Sequence, residues 1–424
     1  MAYPLGDFPN GKTVKGDTNM KKFLAMVMAA GMAFSLAACG SGASSTASSA
    51  ADSASSAASS TDATGEAGSA TGDALAAASG ITGLAQCCDV GTLDDESFNQ
   101  GCWEAVKAYG DANSLEYNYY LPSGEEASDE DRETLIRQAV TDGANTIVCV
   151  GFLYGPALNW AATEYPDVHF IGVDITAYDI SGGDTIPSNI YCVTFKEEQA
   201  GYLAGYGVVK EGYTKLGFLG GMAVPAVIRY GYGYVQGADA AAKEMGVDVQ
   251  MNYYYGGQFY GDEKITSKMD GWYSNGTQLV FSCGGGIWTS AAEAAEKHNG
   301  YIVGVDVDQN YLGLKGVEDG SFTYNPFVTS AMKGLGTAVT DALDSVKNGK
   351  WSGIAGTNGN YGLEEGDYVG LPTATESWNF KKFTVDEYNA VVAKIRSGEI
   401  KVDNSSDDAT KPATSDKLKV DYQV

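Results

Sequence analysis

The chain has 424 residues, 44% of them hydrophobic, with 54 acidic side chains against 27 basic ones and a formal net charge of −27. That balance opposes nucleic acid as a partner, which calls for a basic surface, and favours solubility over adhesion to an anionic membrane. The length leaves room for one large domain or two lobes behind a set of N-terminal segments.

Residues 1–19 do not read as an export sequence; the expectation is a start assigned too early, with Met20 as the true start, and a natural extension is the alternative. Met20-Lys21-Lys22 then opens the apolar run 23–38, which ends in Leu36-Ala37-Ala38 before Cys39. The run is shorter than the roughly 20 residues that a spanning helix needs. Basic residues, an apolar core, small residues and a cysteine read as a lipoprotein signal over 20–38, cleaved before Cys39, which takes the lipid. The expected address is the extracytoplasmic face of the cell membrane, with the lipid as the membrane contact. Residues 39–80 are mostly Ser, Ala, Gly, Thr and Asp, with no large apolar residue before Leu75. Such a stretch cannot bury enough surface to offset its ordering entropy, so it reads as a flexible leash. The body is expected over 81–400, and residues 401–424 as a polar, frayed tail.

From residue 81 onward, apolar runs alternate with helix-like stretches. Strands are expected at 81–90, 115–120, 146–151, 169–173 and 190–195, and in a second series at 215–220, 247–255, 278–283 and 301–305. Helices fit at 96–109, 129–141, 157–164, 197–208, 227–245, 289–298 and 329–347. Strand and helix in alternation mean an α/β fold with parallel sheets, and two series mean two lobes facing a cleft. Lobe 1 takes about 81–195 plus a C-terminal part, and lobe 2 about 210–325 plus return segments.

Ligands of open α/β sheets bind beyond the carboxyl ends of the strands. The residues there are Asp89, Asp174 and Asp306, which can accept hydrogen bonds from ligand hydroxyls or instead cap a turn. Asp94 and Asp95 are better placed for capping. Phe98, Phe259 and Trp288 can stack on a planar ligand or pack in a core. Lys333, expected early in a helix, can donate to the ligand or lie solvated. Gly220-Gly221 and Gly284-Gly285-Gly286 match no phosphate-binding loop and read as close backbone approaches. No GxSxG elbow is present, and His169 and His298 are poorly placed for acid–base chemistry. Among seven cysteines there is no CxxC pair, so no metal site is expected; an exported chain can form disulfides, but the spacing assigns none. A cleft with aromatics and acids and without catalytic groups points to binding, and no cofactor is implied.

Several segments bear a family resemblance. They are Asp89-Val90-Gly91-Thr92-Leu93-Asp94-Asp95-Glu96-Ser97-Phe98-Asn99-Gln100-Gly101, Gly151-Phe152-Leu153 and Val193-Thr194-Phe195-Lys196-Glu197-Glu198-Gln199-Ala200-Gly201. Gly304-Val305-Asp306-Val307-Asp308-Gln309 and Thr329-Ser330-Ala331-Met332-Lys333 belong with them. Together they resemble the basic membrane lipoprotein family, the purine-nucleoside-binding proteins of ABC importers. The resemblance implies a type I periplasmic-binding-protein fold, a monomeric body, and a separate ABC permease and ATPase as partners. It implies stacking by Phe98 and Phe259 and polar recognition by Asp174, Asp306 and Lys333, with Asp89 and Asn99 added and Trp288 as an extra or replacement wall. A simple sugar as ligand, or a sensing role beside a membrane receptor, remain the alternative expectations.

Overall fold

A computed structural model describes residues 80–124 and 126–423. The signal segment and Cys39 lie outside the described residues. Among the described residues thirteen strands run in chain order: β1 Gly83–Cys87, β2 Glu116–Tyr120, β3 Thr146–Val150, β4 His169–Val173, β5 Ile190–Phe195, β6 Lys215–Gly220 and β7 Val249–Tyr255, then β8 Leu279–Cys283, β9 Tyr301–Asp306, β10 Phe327–Lys333, β11 Asn358–Tyr361, β12 Val369–Gly370 and β13 Leu418–Tyr422. They form a six-stranded sheet in the order β11-β5-β4-β3-β1-β2 and a seven-stranded sheet in the order β12-β10-β9-β8-β6-β7-β13. All pairs are parallel except β10 with β12. Each sheet contains the doubly wound order 2-1-3-4-5, so each has a switch point where the strand order reverses, between β1 and β3 and between β6 and β8. The expected α/β class with two parallel sheets is what the chain adopts.

β1 to β9 sit where the apolar runs placed them because runs such as Thr146–Val150 and Leu279–Cys283 are buried along their whole length, as parallel strands covered on both faces must be; β10 to β13 were not expected. The six described cysteines, from Cys87 to Cys283, are buried reduced thiols. Cys87 and Cys149 stand in register on adjacent strands, so they serve as small core hydrophobes.

Helix α1, Phe98–Asn113, packs beside β1; α2 is Asp129–Thr141, α3 Gly155–Glu164 and α4 Ala177–Ser181. The chain passes between sheets after β5 through α5, Glu197–Glu211, and then enters α6, Pro225–Met245, after β6. Gly201 and Gly205 of α5 face Gly233 and Gly237 of α6. A Cβ on Gly201 would stand 2.1 Å from the Tyr230 carbonyl oxygen, and one on Gly233 would stand 1.9 Å from that of Glu198. The two helix backbones therefore touch, and only glycine permits the approach.

Three further helices, α7 Glu263–Ser274, α8 Trp288–His298 and α9 Asn310–Asp319, complete the second sheet's cover, followed by α10 Leu335–Lys347 and α11 Val385–Arg396. Of these, α7, α9 and α11 were not anticipated from the sequence. Two expectations need correction. The run 329–347 is not one helix: Phe327–Lys333 is a strand between β9 and β12, and the helix begins at Leu335. Nor is 401–424 a frayed tail. Leu418–Tyr422 adds an edge strand to β7, Leu418 is buried, and the Gln423 amide donates to the Tyr253 carbonyl at 2.8 Å. Leu418, Val420 and Tyr422 alternate with Lys419 and Asp421, a period-two pattern masked by the polar residues before it.

Gly233→Ala should lower the unfolding free energy by at least about 1–3 kcal/mol, the cost of overpacking a tight contact. Gly271→Ala, in α7 with nothing within 4 Å of the new Cβ, should instead raise it by roughly 0.5–1 kcal/mol. Urea denaturation of both variants checks the contrast; equal effects would contradict the helix contact.

Candidate functional site

The carboxyl ends of the two sheets face one cavity of about 470 Å³. On the first sheet, β1 leads into a loop held by Asn99. Its Oδ1 accepts from the Asp89 amide at 2.9 Å, and its Nδ2 donates to the Thr92 carbonyl at 3.1 Å. Asp95 accepts from the amides of Ser97, Asn99 and Gln100 at 2.9–3.1 Å, capping α1. These bonds fix Phe98, the first residue of α1, at the cavity wall. Gly151, after β3, clears space for Asp89, since a Cβ there would stand 2.3 Å from its carboxyl carbon.

On the second sheet, Gly221 and Gly284 form a platform for Phe259. A Cβ on Gly221 would meet the ring at 2.5 Å, and Gly284 has φ 144° and would meet it at 3.0 Å. The glycines after β6 and β8 thus make the close approaches expected of them, against an aromatic that lines the cavity.

Asp174 follows β4 and Asp306 ends β9, and both lie in the left-handed region with φ 56° and 64°. Aspartate tolerates that conformation, at roughly 1 kcal/mol of strain each. The turn aims both carboxylates at Lys333. Its Nζ lies 2.5 Å from Asp174 Oδ2, 3.5 Å from Asp306 Oδ1 and 3.7 Å from Glu197 Oε1. The same ammonium stands 4.4 Å from the centre of the Phe98 ring. Arg229 Nε donates to the other Glu197 oxygen at 2.6 Å. Ser97 Oγ donates to Asp306 Oδ2 at 2.6 Å and so joins the end of the first sheet to the end of the second.

Burial alone would lower the Lys333 pKa, but Asp174, Asp306 and Glu197 outweigh it and hold the lysine well above its usual value. Burial also pushes Glu197 up. It lifts Asp89 to about 7 against the pull of the Val90 amide, and Asp95 to about 7 against its three amide donors. Asp89 Oδ1 and Asp174 Oδ1 are buried without a hydrogen-bond partner among the described residues, two unsatisfied acceptors on residues that line the cavity.

Asp89, Phe98, Asn99, Asp174, Phe259, Asp306 and Lys333 all line the cavity. Asn99 faces it while its amide group staples the loop. Trp288 does not line it: the indole packs on Phe327, ring centres 5.8 Å apart, in the core beneath α8. Its place at the first turn of α8 put it near a strand end, but the helix turns that position inward. Lys333 reaches the cavity from a strand end rather than from a helix. Glu197, Arg229 and Tyr230 escaped the sequence reading as site residues; the adjacent acids Glu197-Glu198 heading an apolar helix were the available signal. No group of residues suited to a metal ion occurs among the described residues.

The sequence model of the family described as Bmp, ABC transporter substrate-binding protein PnrA-like, matches residues 84–406. The ABC transporter nucleoside-binding protein BmpA of Lactococcus lactis is 32% identical over 301 residues, covering 68% of this chain and 81% of that one. The CD4+ T-cell-stimulating antigen of Listeria monocytogenes is 30% identical over 335 residues, 75% of this chain and 87% of that one. An ABC transporter solute-binding protein of Aeropyrum pernix has the same fold, with a TM-score of 0.62 at 21% identity, covering 77% of this chain and 94% of that one.

Asp89 and Asp95 hold protons in the folded state up to about pH 7, whereas an unfolded carboxyl loses its proton near pH 4. Between those values the folded state binds more protons, so stability falls as pH rises through the window. Exposed capping acids such as Asp131 and Glu387 are held low and titrate beneath it. The ligand-free protein should therefore melt at a lower temperature at pH 8 than at pH 5.5; a higher midpoint at pH 8 would refute the assignment. Lys333→Met, which leaves the buried carboxylates uncompensated, should cost about 3–5 kcal/mol at pH 8 by denaturant titration.

Proposed function

Because the chain belongs to the PnrA-like family of ABC transporter substrate-binding proteins, we propose that its cleft captures a nucleoside, purine nucleosides foremost, for delivery to an ABC permease. The protein is an extracytoplasmic binding component and not an enzyme; the permease and its ATPase carry out transport. The observation that carries the nucleoside reading is the arrangement of one cavity. Phe98 comes from the first sheet and Phe259 from the second, and both share the wall with Asp89, Asp174, Asp306 and Lys333. Aromatics on the cavity wall suit a base, and the unsatisfied carboxylate oxygens suit ribose hydroxyls and base N–H groups. Asp89, with its pKa near 7, can meet either a donor or an acceptor on the base. The printed name of the lactococcal relative, a nucleoside-binding protein, agrees with this.

Charge narrows the ligand further. Both cavity cations already have carboxylate partners, Lys333 with Asp174 and Arg229 with Glu197. A phosphate would enter an acid-rich site with no unpaired cation on the cavity wall, a like-charge juxtaposition costing several kcal/mol. The cleft thus favours neutral nucleosides over nucleotides. Residues from about 81 to 423, the C-terminal edge strand included, form the two-lobed binding body on this reading, held to the outer face of the membrane through residues 39–80 by lipid on Cys39. Cys39→Ser should then release the protein from the membrane fraction.

Calorimetry with adenosine, inosine, guanosine, pyrimidine nucleosides, free pentoses and the matching monophosphates tests the proposal. Purine nucleosides should bind at micromolar concentration or tighter, and their monophosphates at least about 100-fold more weakly. Binding of pentoses without nucleosides would replace the reading with a sugar. Asp306→Asn should weaken nucleoside binding by roughly tenfold or more, through loss of about 1.5–3 kcal/mol of charged hydrogen bonding, with the fold intact by circular dichroism; unchanged affinity would remove Asp306 from the site.

A further inference from the structure

A second cavity of about 310 Å³ opens from the flank of the first, and Thr194, Arg229 and Ser406 line both. Its walls are Asn358 and Asn360 of β11, Asn404 of the C-terminal segment, and Glu198. Thr194 and the β11 asparagines form a polar lattice: Asn358 Nδ2 donates to Thr194 Oγ1 at 3.0 Å, and Thr194 Oγ1 donates to Asn360 Oδ1 at 3.3 Å. The opposite wall is pinned, because Gln236 and Asp403 exchange two hydrogen bonds at 2.7 and 3.0 Å.

Glu198 is the informative residue. It is 3% exposed; its Oε1 accepts from Asn404 Nδ2 at 3.3 Å, and its Oε2 is buried without a partner among the described residues. An unsatisfied buried carboxylate oxygen is costly and calls for a donor. The flank joins the main cavity at Arg229, whose partner Glu197 approaches Lys333, so it adjoins the polar end of the cleft where the sugar would sit.

We propose that the flank cavity is a second subsite, which receives a polar uncharged or positively charged group carried on the 5′ carbon of a nucleoside's sugar. This rests on the nucleoside reading above. The asparagines offer donors and acceptors to such a group, and Glu198 Oε2 takes an ammonium, amide or hydroxyl hydrogen. The neighbouring acids Glu197 and Glu198, with Arg229 already paired, exclude a 5′-phosphate while admitting a 5′-amine. The protein would then import 5′-extended nucleosides as well as simple ones.

The test uses the tightest-binding of adenosine, inosine and guanosine, together with its 5′-amino-5′-deoxy derivative, by calorimetry on the wild-type protein and on Glu198→Gln. The amino compound should bind the wild type within about threefold of the parent, and Glu198→Gln should weaken it by about tenfold or more while leaving the parent within twofold. Retained parent affinity also shows that the variant is folded. Rejection of the amino compound by the wild type, or equal loss for both ligands in Glu198→Gln, overturns the subsite alone. Absence of binding by every purine nucleoside overturns the nucleoside reading and the subsite with it.

Discussion

One buried cation organises the cleft. Lys333 brings together Asp174 from the end of one sheet, Asp306 from the end of the other, and Glu197 from the helix that crosses between them. Removing an ammonium and carboxylates from water costs several kcal/mol per ion, and attraction offsets this only where the geometry is close and the remaining lone pairs are used. Asp306 meets that condition, with Ser97 and Tyr230 as further donors. Asp174 meets it only in part, since Oδ1 is left open. The network therefore holds the sheet ends near each other while retaining an unsatisfied acceptor on a residue of the cavity wall. Lys333 is also the last residue of β10, and the Gly334 amide that follows donates to the Tyr368 carbonyl at 2.6 Å, beside another passage of the chain between the sheets. The charge cluster thus sits where the two lobes are joined.

The second ion pair depends on glycine. Arg229 and Glu197 meet because α5 and α6 touch backbone to backbone at Gly201, Gly205, Gly233 and Gly237. Any side chain at those positions would push α6 outward and draw Arg229 and Tyr230 away from the cavity. The glycines carry no side chains themselves, yet they set the spacing of the polar groups at and beside the cavity. The close approach at Phe259 repeats the principle on a smaller scale, with Gly221 and Gly284 letting an aromatic come close to strand ends.

Much of this was legible in the sequence because parallel strands buried on both faces leave apolar runs with few alternatives. The same logic located Asp89, Asp174 and Asp306, polar residues stranded at the ends of those runs. It failed where two periodicities overlapped. Thr329–Lys347 joins a strand to a helix with only Gly334 between them, so its apolar residues can be threaded on one helical face, and Lys333 was placed on the wrong element. Trp288 illustrates a different limit: a strand-end position tells which end of the sheet a residue occupies, not which way the first helical turn points it. The strand at Leu418–Tyr422 was hidden by composition, since the polar segment before it is held by scattered hydrogen bonds such as the two from Ser415 to Asp239 rather than by burial. Glu197 and Arg229 meet as an ion pair between two helices, and no one-dimensional spacing encodes such a meeting.

Capture by such a cleft follows from what the closed arrangement lacks. Asp89 Oδ1 and Asp174 Oδ1 are removed from water without a partner, which makes closure without ligand unfavourable by an amount of order 1–3 kcal/mol per group. A ligand that donates to both oxygens removes that penalty only when the sheet ends are together. Its affinity for the closed state therefore exceeds its affinity for an open one, and that difference is what shifts the population. A permease that reads the relative placement of the two lobes would then distinguish loaded from empty protein without contacting the ligand. A neutral ligand suits this device better than a charged one, because it satisfies the orphaned acceptors without disturbing the charge balance around Lys333.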